Sequence, residues 1–69
     1  MKELSYGDIV EAKNHYTGEY ETGIITDRAP SSSSVCEYEF GITFKDGTFC
    51  SWYRPDVLDV ISYSEFRAE

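Results

Sequence analysis

Apolar and polar residues alternate along most of this chain with the two-residue period of half-buried β-strands. The stretch VCEYEFGITF, residues 35–44, shows it most clearly. Tyr38, Phe40, Ile42 and Phe44 fall on one face, and Glu37, Glu39, Gly41 and Thr43 on the other. Phe40 and Phe44 are therefore expected in the core. The same period runs through GDIVEAK (7–13), where Val10 and Ala12 alternate with Ile9, Glu11 and Lys13. A longer strand is predicted over EYETGIITDR (19–28), with a bulge or sharp bend at Gly23. TFCSWY (48–53) and Leu58 to Ile61 complete a set of five.

Turn chemistry separates these runs. NHYTG (14–18) reads as the first turn, and APSSSS (29–34) as an exposed connector that cannot pack a core. Asp46-Gly47 supplies the positive φ that a tight hairpin needs, which places Cys50 opposite Thr43. Arg54-Pro55-Asp56-Val57 breaks the pairing, because proline has no N–H to donate, and is expected to form one 3₁₀ turn. In the tail SYSEFRAE, Ser62 and Glu65 have capping-box spacing, which admits a helical turn.

The expected architecture is one all-β domain over residues 1–69, a barrel over about 6–61 with a short tail over 62–69. A chain of this size buries only about 60% of its unfolded surface, which leaves no room for a core and a deep enclosed active site. Six Tyr, four Phe and one Trp give it large buried area per residue. Curling five short strands shut also removes edges that would otherwise invite aggregation.

The order of these elements resembles an SH3-like small barrel, and in style the Tudor/KOW group. GDIVEA resembles the opening strand of those domains, TGIITD the second, GITFKDG their "V-x-F-x-D-G" hairpin, and PDVLDVI their closing turn and strand. Tudor domains cage a methylated Lys or Arg with aromatic rings through cation–π attraction. The matching positions here are Tyr16 and Tyr20, then Phe49 or Trp52 and Tyr53. KOW relatives mostly bind RNA or ribosomal machinery through basic loops, and this chain departs from that pattern in lacking a Lys/Arg-rich first loop.

Charge narrows the functions further. Thirteen acidic side chains against six basic ones leave a net charge of −7. That field opposes nucleic-acid binding, which rests on Lys and Arg neutralising phosphates. Lys2, Lys13, Arg28, Lys45, Arg54 and Arg67 are scattered singly.

Catalysis is not expected: the only histidine, His15, falls in a polar turn and reads as a solvated loop residue. The carboxylates alternate along strands rather than converging as a metal site would require. Two extended-chain cysteines, Cys36 and Cys50, are separated by about 23 Å on this hairpin, beyond the roughly 7 Å a disulfide spans; both read as free thiols. No cofactor is implied.

The leading expectation is a non-enzymatic interaction module that selects a basic protein or peptide. Its groove would be lined by Tyr16, Tyr20, Trp52 and Tyr53 and rimmed by Glu19, Glu21 and Asp46. A small acidic inhibitor that mimics nucleic acid, of viral or mobile-element type, is the alternative, and an RNA- or ribosome-associated KOW-like barrel a further one. No apolar run is long enough to span a membrane, and MKELSYGDIVEAK carries no apolar signal-type core, so the expected location is the cytoplasm. Monomer and dimer both stay open.

Overall fold

The computed structural model describes residues 3–32 and 34–64. Five strands appear in chain order: β1 (Ile9–Lys13), β2 (Tyr20–Pro30), β3 (Tyr38–Phe44), β4 (Phe49–Tyr53) and β5 (Asp59–Ser62). A 3₁₀ turn, Pro55–Val57, precedes the last. All pairings are antiparallel, in the sheet order β4-β3-β2-β1-β5. The all-β expectation, with its five strands and 3₁₀ turn, is met, and no helix among the described residues is long and apolar enough to cross a membrane.

The two-residue period becomes a core made from one face of this sheet. Val10, Ala12, Ile25, Phe40, Ile42, Phe44, Cys50, Tyr53 and Leu58 are all buried, with Leu4, Tyr38 and Val60 packed at its margin. Leu58 enters because the 3₁₀ turn reverses the chain after β4: Val57 N–H donates to Arg54 O at 3.1 Å and Leu58 N–H to Pro55 O at 3.2 Å.

Gly23 departs from expectation. It is regularly paired on both sides, with Val10 of β1 and Phe44 of β3, and the register shift in β2 comes later, between Ile25 and Asp27. What demands glycine at 23 is crowding. A Cβ there would fall on Ile42 Cγ2, with Phe44 Cδ1 and Thr43 O each 3.1 Å away. Bulges at Thr26, at Ser51-Trp52 opposite Gly41, and at Ile61 interrupt three of the four ladders. Each adds local twist and helps the sheet curl around its core.

The β3–β4 hairpin is also one residue longer in its loop than a two-residue Asp-Gly turn. Gly47 N–H donates to Phe44 O at 2.9 Å and Phe44 N–H to Thr48 O at 2.8 Å, so Lys45, Asp46 and Gly47 form a three-residue loop. Gly47, at φ 88°, takes the left-handed position such a loop requires. The register therefore moves by one: Thr43 faces Phe49, and Cys50 faces Ile42, not Thr43. Cys50 is thereby buried, and both thiols are free.

The β2–β3 hairpin runs further than the serine tract suggested. Pro30 pairs with Tyr38, Ser31 N–H donates to Glu37 O at 2.9 Å, and Ser31 Oγ bonds Glu39 Oε2 at 3.2 Å. β3 consequently begins at Tyr38 instead of Val35.

A buried carboxyl group ties the chain segment before β1 to the segment after β5. Asp8, fully buried, accepts the Ser5 N–H at 2.9 Å through Oδ2 and the Ser64 N–H at 2.7 Å through Oδ1. β5 is thus pinned to β1 beyond its last ladder bond. The capping-box pair lies partly outside the described residues, since Glu65 is not among them; Ser62 itself ends β5.

Candidate functional site

Asn14 organises the loop that forms one wall of the site. It is fully buried. Its backbone closes the β1–β2 turn, donating to Glu19 O at 2.8 Å and accepting from Gly18 N–H at 2.7 Å. Its Oδ1 takes the Tyr16 N–H at 2.9 Å and faces the Cys50 thiol at 3.7 Å. Its Nδ2 donates to Glu21 Oε1 at 3.3 Å. A buried polar side chain is tolerated because its hydrogen-bonding groups have partners.

Tyr53 makes the floor. Only 4% of it is exposed, and its hydroxyl donates to the Lys13 carbonyl. Burial, with the neighbouring Cys50 thiol adding to it, pushes the phenol far above its usual range. His15 stacks on the ring with centroids 4.6 Å apart and planes at 26°. The histidine is exposed, as expected of a loop residue, but it is not merely solvated. It extends the aromatic floor outward.

Above this floor opens a cleft of about 420 Å³ lined by Lys13, His15, Tyr20, Trp52, Tyr53, Arg54 and Val57. Pairing explains the assembly: Lys13 stands directly opposite Tyr20 across β1–β2, Trp52 and Tyr53 end β4, and the 3₁₀ turn brings Val57 back alongside. Trp52 is 43% exposed and Tyr20 66%, large values for rings in so small a barrel.

Three of the residues expected to bind a partner, Tyr20, Trp52 and Tyr53, are thus brought together, two as accessible walls and one as buried floor. Tyr16 is more exposed still, at 79%, but lies on the loop outside the cleft lining. Glu19 stays on that loop, where its backbone N–H reaches Thr17 Oγ1. Glu21 is engaged in holding the loop shut, through Asn14 and a 2.9 Å bond from Thr17 Oγ1. Asp46 sits in the β3–β4 turn, where the Thr48 backbone N–H at 2.9 Å holds its carboxyl below the usual range.

The cleft's rim is therefore cationic where acids were expected. Among the described residues no Asp or Glu lines it, while Lys13 and Arg54 do. Neither Lys13 nor His15 was read as a neighbour of Tyr20, since a turn over 14–18 would set Lys13 opposite Glu19 and the observed register sets it opposite Tyr20. Arg54 was read only as part of a proline-led turn.

A second concavity, about 390 Å³, opens between Leu4, Tyr38, Phe40, Leu58 and Val60 on the other side of the 3₁₀ turn. Its cation is already engaged: the Arg28 guanidinium lies 4.3 Å from the Tyr38 ring centroid and 5.7 Å from that of Tyr6.

Comparison with protein-family models, with curated proteins and with solved structures finds no match in any of the three.

Proposed function

We propose that this chain is a non-enzymatic protein-interaction module, an SH3-like barrel of Tudor/KOW type, whose contact surface is the Tyr20–Trp52–Tyr53 cleft. One observation carries the reading. Two large rings stand exposed over a third that is locked in place by a hydrogen bond and by His15 stacking. Exposed aromatic area on a rigid floor gives contact surface at low entropic cost, which is what interfaces concentrate. The net charge of −7 speeds encounter with a partner that is basic over its bulk. Glu19 and the exposed Tyr16 on the adjoining loop extend the surface such a partner would meet.

The acidic-mimic reading draws on a separate observation. Glu11 and Asp59 stand directly opposite each other on β1 and β5, both exposed. Like charges in that position oppose folding, so their presence suits a surface selected for its negative field. The RNA reading has less support: Arg28 lines one concavity, Arg54 the other, and Lys45 belongs to the β3–β4 loop.

The test is affinity capture from source-cell lysate, washed at low and at about 0.5 M salt, with Trp52→Ala in parallel. Screening at that ionic strength removes most exposed charge attraction. A partner that survives the high-salt wash and is lost with Trp52→Ala supports the aromatic cleft. One released by salt and indifferent to Trp52 supports the mimic.

A further inference from the structure

We infer that the cleft takes a peptide segment in which an apolar or ring side chain adjoins a carboxylate. The inference rests on the cleft being a protein-binding surface and adds the chemistry of what enters it.

The local charge of the cleft opposes that of the molecule. In a chain with 13 acids and six Lys or Arg, two of the cations and the only histidine line this one concavity, and no acid among the described residues does. Neither the Lys13 ammonium nor the Arg54 guanidinium has an ion pair or side-chain hydrogen bond among the described residues. With acids in twofold excess, two cations that find no anionic partner among the described residues are groups available to an outside anion. Their placement matches a two-part ligand. Tyr20, Trp52 and Val57 offer apolar walls to a ring or aliphatic group, and Lys13 and Arg54 line the same cleft. Arg54 can present its fork bidentately to a carboxylate, while Lys13 acts as a mobile point charge.

The same numbers select the anion's size. The −7 background acts on every charge a ligand brings. One carboxylate entering a cleft lined by Lys13 and Arg54 meets local attraction, with distant acids screened beyond about 8 Å at physiological salt. An extended polyanion must lay further phosphates over acidic surface, which disfavours nucleic acid. A basic partner is compatible with this seat: long-range steering depends on the partner's bulk charge, and docking on the few groups that reach the cleft.

The experiment is panning of a displayed random peptide library on the intact chain and on the Lys13→Glu/Arg54→Glu double variant. Circular dichroism verifies that the variant folds, and Lys13→Gln/Arg54→Gln replaces it if it does not. Enriched sequences should carry Asp or Glu beside an aromatic or aliphatic residue. As synthetic peptides they should lose about tenfold or more in affinity on the double variant. Enrichment of Lys- or Arg-bearing peptides, or of sequences without charge preference, overturns the inference and leaves the interaction module standing. Failure of any sequence to enrich overturns both. A fluorescein-labelled oligouridylate that binds more tightly than the peptides, and is released by the charge reversal, overturns the inference in favour of nucleic acid.

Discussion

The Tyr53 hydroxyl donates to the backbone carbonyl of Lys13, joining the end of β4 to the end of β1, two strands that share no ladder. That bond lies within the core and beneath the cleft at once. Removing it should register in stability and in alkaline behaviour alike. Tyr53→Phe keeps the ring and leaves the carbonyl without its partner, at a cost of about 1 kcal/mol near neutral pH.

The pH dependence has a definite sign. Burial raises the folded phenol's pKa above the ordinary value near 10, so above that pH the unfolded chain releases the proton first. Stability falls as pH rises from about 10 upward. Tyr53→Phe lacks this contribution, and the gap between the two proteins should narrow above pH 10. Urea midpoints of both proteins at pH 7 and at pH 10.5 to 11 measure it. A gap that stays constant contradicts the burial of the phenol.

Asp8 should be worth more than a surface acid. Asp8→Ala strips the Ser5 and Ser64 amides of their acceptor inside the structure, at about 2–3 kcal/mol. Amide exchange at Ser64 should accelerate by more than global destabilisation accounts for. Unchanged exchange there would mean that the clamp does not hold β5.

Gly23→Ala introduces one methyl group where Ile42, Phe44 and the Thr43 carbonyl already meet. Overpacking of this kind costs about 1–3 kcal/mol. Gly41→Ala is the informative contrast. Its new Cβ meets mainly the outer end of Phe49, at 2.5 Å from Cζ, and that half-exposed ring can swing away. Thermal denaturation should rank Gly23→Ala clearly below Gly41→Ala.

Asn14→Ala should weaken both fold and site. It removes the acceptor of the Tyr16 amide and the tie to Glu21, costing about 1–3 kcal/mol, and it frees the loop that carries His15. Partner affinity should fall even at temperatures where the variant remains folded.

Strand count, order along the chain and the core residues Phe40 and Phe44 were legible because period-2 burial and turn residues are local signals. Gly23 was misread for a physical reason. A bulge and a close backbone approach both ask for glycine, and only the placement of Ile42 and Phe44 from another strand distinguishes them. The one-residue error at Cys50 arose similarly, since Asp-Gly serves two- and three-residue loops alike. At the site, Tyr20, Trp52 and Tyr53 could be nominated as rings, but the sign of the charge beside them could not. Glu19 and Glu21 are as close in sequence to Tyr20 as Lys13 is in space. It is the β1–β2 register that sets Lys13 opposite Tyr20, while Glu21 turns to Asn14.

Trp52 is the chain's single tryptophan, so indole emission reports on the cleft without interference. The most direct measurement titrates the captured partner, or a tryptophan-free peptide from it, into the purified protein while Trp52 fluorescence is followed. Binding is measured in parallel by calorimetry. A saturable shift or quench that tracks the calorimetric isotherm, with affinity reduced at least about tenfold by Trp52→Ala in a folded protein, is the predicted result. Tight binding with unperturbed Trp52 emission and no loss on Trp52→Ala would contradict the assignment of this cleft as the contact surface.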